Sequence, residues 1–128
     1  MQIQSVFKSV IWVDQKLDFL KSLDKASNKY IREAKKTKEA KQYIKKFGDF
    51  GRSFHSGTLL NDTDFWDLKR YINQKALEYL NHQGYDMSFY DLFFSELWVQ
   101  EFAKKGGGHH SAHIHWNQHV SGFYFLKC

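Results

Sequence analysis

The sequence contains no proline and a single cysteine, Cys128, in 128 residues. One cysteine cannot form a disulfide within the chain, which excludes a disulfide-stapled secreted domain and favours a reducing, cytoplasmic setting. No apolar run is long enough to span a bilayer, and the opening residues MQIQSVFKSV lack the apolar core of a signal peptide. We therefore expect a cytoplasmic protein without a membrane partner.

Core-forming side chains, in contrast, are abundant. Hydrophobic residues make up 42% of the chain and aromatic residues 18%, which is typical of a packed domain and not of a disordered segment. The length fits one domain, so we assign residues 1–128 to a single unit. The chain ends in FYFLKC, a run of strand-forming aromatic residues, and we expect it to be truncated at its C-terminal end.

The positive charge is concentrated in one segment. Residues 25–46 carry nine basic and two acidic side chains, a net charge of +7 against +5 for the whole chain, which leaves −2 for the rest. The helical spacing of its apolar residues, with Gly48 following the last of them, predicts one helix. Such a face either binds phosphates or acidic lipid, or is simply solvated. Because arginine is scarce and aromatic residues do not interleave with the charges, we do not expect a nucleic-acid partner.

Helical patterns occupy the first two thirds of the chain and strand patterns the last third. We predict a short helix capped by Asp14, a short strand near Phe54, and a helix that starts at Asn61 or Asp64 and closes near Gly84. Strands are predicted at residues 6–13, 89–102, 113–116 and 120–126. The result is an α+β fold with residues 1–84 mainly helical and residues 85–128 forming core strands.

Histidine is the most unusual feature of the sequence. Five of its seven histidines lie within eleven residues, at positions 109, 110, 113, 115 and 119. On a strand His113 and His115 share one face, where two imidazoles can hold one Fe, Zn, Cu or Ni ion. The alternative is an exposed polar tract without a ligand. His55 stands apart from this cluster, and nothing in the sequence pairs Glu96 with another catalytic group.

A family resemblance follows from the stretch WVQEFAKKGGGHHSAHIHWNQHVSGFYFLK. It resembles the iron-binding region of the Fe(II)/2-oxoglutarate-dependent dioxygenases, in particular the prolyl-hydroxylase-like group and oxygenases of phages and marine bacteria. In that family a strand and a glycine-containing turn lead to H-x-D/E, followed by a strand ending in an aromatic run. His113-Ile114-His115 falls at the H-x-D/E position, and VSGFYFL matches the aromatic run.

The resemblance implies a double-stranded β-helix, or jelly-roll, core supported by the N-terminal helices. It implies that His113 is the first iron ligand and that His115 occupies the position of the carboxylate ligand. Tyr124 and Phe125 correspond to positions lining the co-substrate pocket, with Trp98 as a further aromatic wall. The implied activity is hydroxylation of a small-molecule or peptidyl substrate, with Fe(II), 2-oxoglutarate and O₂, in the host cytoplasm if the gene belongs to a phage.

The sequence departs from the family pattern in two ways. His115 replaces the carboxylate, so the usual set of two histidines and one carboxylate is not reproduced. The family's distal histidine and its 2-oxoglutarate-binding arginine would lie beyond Cys128. We therefore expect the chain as given to hold the front half of an active site and to be inactive by itself.

Two alternatives remain at the level of sequence. Gly107, His113, His115 and His119 resemble the first motif of cupins, although cupins have glutamate at the position of His119 and a later glycine near Leu126. The cupin interpretation also predicts a metal-binding jelly roll. The other alternative is a non-enzymatic chain that acts through its lysine-rich helix.

Overall fold

The computed structural model describes residues 10–108 and 110–127. The described part of the chain contains α1 (Leu20–Ala34), α2 (Lys38–Phe47), β1 (Ser53–His55), a 3₁₀-helix (Thr63–Phe65), α3 (Trp66–His82) and β2 (Gln100–Phe102). The two strands pair antiparallel, with His55 opposite Gln100. This combination of helices with an antiparallel pair confirms the predicted α+β class.

The lysine-rich segment forms two helices where one was predicted. Thr37 breaks it: its backbone is extended, with ψ of 154°, and its hydroxyl accepts a hydrogen bond from the Ala40 N–H at 3.2 Å, which caps the start of α2. A threonine side chain that satisfies a free amide in this way favours a helix start over a helix interior. Gly48 ends α2 with φ of 69°, as predicted.

The helix predicted between Asn61 and Gly84 is confirmed as α3 and its preceding 3₁₀ turn. The Asp62 side chain accepts the Asp64 N–H at 2.8 Å, and Gly84 follows the last turn with φ of 91°. The short helix predicted from Asp14 is wrong. That carboxylate accepts the neighbouring Gln15 N–H, and the helix containing Leu23 starts only at Leu20.

The short strand predicted near Phe54 is confirmed. The strand predicted at 89–102 is much shorter than expected, and the others are absent from the described residues. Within 89–102 only Gln100–Phe102 is a strand, and residues 113–116 and 120–126 are in none. Strand patterns alone do not make strands, because each strand needs a neighbour for its backbone hydrogen bonds. Residues 10–13 are exposed and not in a strand, while residues 6–9, His109 and Cys128 lie outside the described part.

The core lies between α1, the 3₁₀ turn and the start of α3. Its buried side chains are Leu23, Ala26, Leu59, Phe65 and Leu68, against which Leu97, Val99, Tyr124 and Leu126 pack from the second half of the chain. On the helical side of the sheet Lys35, the residue that follows α1, forms an ion pair with Glu101 of β2. None of the described helices has both the length and the apolar character required to cross a membrane.

Candidate metal site

The candidate metal site lies on the outer face of the sheet, the face turned away from the core. The residues that follow β1 and those that precede β2 continue side by side. The Ser56 N–H donates to the Val99 carbonyl at 3.0 Å, and the Leu59 N–H donates to the Leu97 carbonyl at 2.8 Å. Leu97 and Val99 pack against the core. Side chains alternate along an extended chain, so Glu96 and Trp98 lie on the opposite face.

His55 joins the same outer face. It is exposed and sits directly opposite Gln100 in the strand register, which places both on one side of the sheet. Its imidazole stacks against the Trp98 indole, with 5.0 Å between ring centroids and 29° between planes. Its Nδ1 lies 2.7 Å from the Ser56 carbonyl oxygen. Because a carbonyl only accepts, the proton sits on Nδ1 and the Nε2 lone pair is free.

Residues 110–118, the histidine segment, lie over this face and line a solvent-open cavity of about 380 Å³. A hydrogen bond of 2.7 Å, donated by Ser95 Oγ to Gln118 Oε1, connects the histidine segment to the stretch that precedes β2. The cavity is lined by His55, Glu96, Trp98, His110, His113, Ile114, His115, Trp116 and Gln118. Four histidines and one carboxylate, from three separate stretches of sequence, therefore face one space.

His113 and His115 point their Nε2 atoms at each other, 3.1 Å apart. The Nδ1 of His113 lies 2.8 Å from the Ser111 carbonyl oxygen, so Nδ1 carries the proton and Nε2 presents its lone pair. A hydrogen bond of this kind to the far nitrogen also orients histidine ligands in metal sites. The Nε2–Nε2 contact of the pair is itself a hydrogen bond, and which ring donates depends on the tautomers.

The spacing of the two nitrogens fits a shared ion. Nitrogens bound at about 2.1 Å lie about 3.0 Å apart at a right angle and about 3.4 Å apart at a tetrahedral angle. The observed 3.1 Å falls in this interval. Within the described residues no three His, Cys, Asp or Glu side chains are close enough to hold an ion together. The structure therefore places the His113 and His115 Nε2 atoms at a separation compatible with a shared ion.

Of the residues predicted to line the co-substrate pocket, only Trp98 lies at the cavity. The Tyr124 hydroxyl donates to the Lys16 carbonyl, and its ring packs against the core; burial raises the pKa of this phenol. Phe125 is exposed and stacks with Phe123 at 6.3 Å. The cofactor-binding role of Tyr124 and Phe125 stays a prediction.

Sequence reasoning missed two residues of the site, His55 and Glu96. His55 lies more than fifty positions from His113 in the chain, so no local motif joins them. Glu96 belongs to the core strand predicted at residues 89–102, whereas its side chain is exposed beside the cavity. The sequence signal is weak, because Trp98 is apolar like Leu97 and Val99, and Glu96 alone among these four residues is polar.

No family model matches the chain, and no curated protein or solved structure shows significant similarity to it. The geometry of the histidine pair and the resemblance of its sequence segment are therefore the two grounds for a functional proposal.

Proposed function

We propose that this chain carries the iron-binding region of an Fe(II)/2-oxoglutarate-dependent oxygenase of the hydroxylase type. The observation that carries the proposal is the pairing of the His113 and His115 Nε2 atoms at 3.1 Å. His113 and His115 hold the ion at two adjacent positions. When bound, Fe(II) supplies open coordination positions for 2-oxoglutarate and O₂, and with them the oxidising chemistry of hydroxylation.

The chain's own residues have distinct tasks in this proposal. The Ser111 carbonyl holds His113 in the tautomer that binds metal. The Trp98 indole lies against the His115 imidazole at 6.3 Å and 14°, which limits rotation of that ring. Trp98 and Trp116 line the cavity and supply apolar surface beside the metal position.

Recognition of 2-oxoglutarate rests on the resemblance alone. Its two carboxylates need a cationic partner, and the described residues that line the cavity include no lysine or arginine. The jelly-roll core also rests on the resemblance alone, and β1 and β2 would be two of its strands. The substrate is then a small molecule or a peptidyl side chain.

Anaerobic calorimetric titration of the chain with Fe(II) tests the proposal. We expect one bound ion per chain, lost in His113→Ala and kept in His119→Ala, which removes an exposed histidine outside the cavity lining. Failure of the unmodified chain to bind Fe(II), or equal affinity in His113→Ala, would contradict the metal site and with it the oxygenase.

A second candidate function is binding of single-stranded nucleic acid by the surface around α2. Lys41, Lys45 and Lys46 are exposed and form no ion pair within the described residues. Contrary to the sequence-based expectation, aromatic rings do adjoin these charges: Phe47 and Phe50 are 52% and 55% exposed. Exposed rings beside unpaired cations can stack bases and contact phosphates.

Fluorescence anisotropy with a labelled oligonucleotide at two salt concentrations tests this second function. Counterion release predicts tighter binding at low salt and a smaller salt slope in Lys45→Gln/Lys46→Gln. Lys21→Gln, an exposed lysine of α1, is the control. Undetectable binding at low salt, or a double variant with the slope of the unmodified chain, would dismiss the nucleic-acid function.

A further inference from the structure

We infer that Glu96 is the carboxylate ligand of the metal site, so that His113, His115 and Glu96 hold the ion together. The inference rests on the proposed function, because it requires the histidine pair to bind a divalent cation. It assigns the carboxylate to a different part of the chain from the H-x-D/E motif, where His115 stands in its place.

The strand pattern puts Glu96 on the correct face. Leu97 and Val99 point into the core, so Glu96 and Trp98 share the outer face, about 7 Å apart along the extended chain. Trp98 contacts the His115 ring, and Glu96 lines the cavity with both histidines. The backbone therefore presents the Glu96 side chain to the histidine pair.

Glu96 is also the sole acidic side chain among the described residues that line the cavity. Glu101, the other acidic residue of this stretch, points to the helical side and pairs with Lys35. A site made of neutral imidazoles leaves both charges of a divalent cation uncompensated. One carboxylate halves that charge.

Turning the Glu96 carboxylate toward the ion breaks no interaction seen in the described part of the chain. It is exposed and forms no hydrogen bond or ion pair with another residue in the described part of the chain. His55 is the competing ligand on the same face, and it carries no negative charge to offset that of the ion. In the metal-free structure Glu96 does not yet form a three-ligand group with the pair, so binding of the ion requires its exposed side chain to turn toward them.

Titration with Co(II) alone, read by calorimetry and by the visible absorption of the bound ion, tests this assignment. We expect Glu96→Gln to weaken Co(II) binding by at least about 10-fold, since even outer-shell partners of a metal account for about 10–100-fold. The absorption should also change in shape, because the ligand set changes. Glu96→Asp, which keeps a shorter carboxylate, should restore part of the affinity. Glu33→Gln, an exposed glutamate of α1, should match the unmodified chain.

The outcomes separate this inference from the proposed function. Loss of Co(II) in His113→Ala but unchanged affinity and spectrum in Glu96→Gln would overturn the role of Glu96 and leave the histidine site standing. Loss in His55→Ala together with normal binding by Glu96→Gln would transfer the third position to His55. A chain that binds no Co(II) at all would overturn both.

Discussion

The indole of Trp98 lies nearly parallel to the imidazole of His115, with 14° between their planes and 6.3 Å between their centroids. Trp98 also stacks on His55, and His115 in turn lies 4.8 Å from His113. A row of contacting rings thus connects the sheet to the histidine segment. This row places a fluorescent side chain next to the candidate metal site.

Metal binding should therefore be visible in tryptophan fluorescence. We expect Co(II) to quench part of the emission, with a smaller quenched fraction in Trp98→Phe because an emitter beside the site is gone. Trp66→Phe, which removes an exposed ring at the start of α3, should show the opposite change, a larger quenched fraction. Equal quenching in Trp98→Phe and the unmodified chain would place the ion away from His115.

The Tyr30 hydroxyl donates to the Asp62 carboxylate, which raises the pKa of Tyr30 to about 12. A phenol whose pKa is higher in the folded state than in the unfolded state stabilises the fold fully below pH 10, and this contribution is lost as pH rises toward 12. Tyr30→Phe should flatten this alkaline loss in denaturation experiments. Tyr71 donates to Asp14 and has the same raised pKa of about 12, so the double variant should be flatter still.

The same hydrogen bond acts at acid pH through its acceptor. The Tyr30 hydroxyl, followed by the Asp64 N–H, lowers the pKa of Asp62 below its ordinary value. A lowered carboxyl pKa stabilises the fold above the unfolded-state pKa, and that contribution disappears as pH falls through the lowered folded-state value. Asp62→Asn should reduce stability at neutral pH and lessen its decline in acid. A stability–pH curve parallel to that of the unmodified chain would contradict this role.

Leu59 is the most buried large side chain of the core, at 1% exposure. Truncation to alanine removes apolar contacts and leaves a cavity, so we expect Leu59→Ala to lower the free energy of unfolding by about 2–5 kcal/mol. Urea denaturation measures this, with Leu17→Ala as the control because Leu17 is 61% exposed. A cost below about 1 kcal/mol for Leu59→Ala would mean that this core is loosely packed.

Gly108 ends the tri-glycine turn that leads into the histidine segment, and it lies against the strand. A Cβ at this position would meet the Phe102 ring at 2.5 Å, Ser53 Oγ at 2.9 Å and the Arg52 carbonyl oxygen at 3.1 Å. Gly108→Ala should therefore displace the segment and lower both the thermal midpoint and the Co(II) affinity. Gly57→Ala, where a Cβ meets nothing within 4 Å, should leave both unchanged. Equal midpoints in the two variants would show that the turn yields freely.

Much of the helical architecture was predictable from the sequence. The start of the helical region at Asp62 and the end near Gly84 depend on side chains and backbone conformations within a few residues. The break at Thr37 is also local, because its hydroxyl caps the start of α2. The apolar spacing continues through residues 25–46, however, and predicts one helix. Local rules decide helices because their hydrogen bonds close within four residues.

The strands were harder to predict for a physical reason. Phe89–Phe102 has the composition of a buried strand, yet only its last three residues pair with β1. Pairing depends on which distant segment supplies the partner, and residue composition does not state that. The alternation of Leu97 and Val99 with Glu96 and Trp98 becomes meaningful once one face is packed against the core.

The sequence by itself determined the α+β class, the extent of α3 and the proximity of His113 to His115, because each depends on contacts between residues near in the chain. Only the tertiary structure decided that His55, Glu96 and Trp98 face that pair across one cavity. These residues are brought together by the antiparallel alignment of residues 53–59 with 97–102. That alignment minimises the free energy of the whole packed chain, and no short motif encodes it.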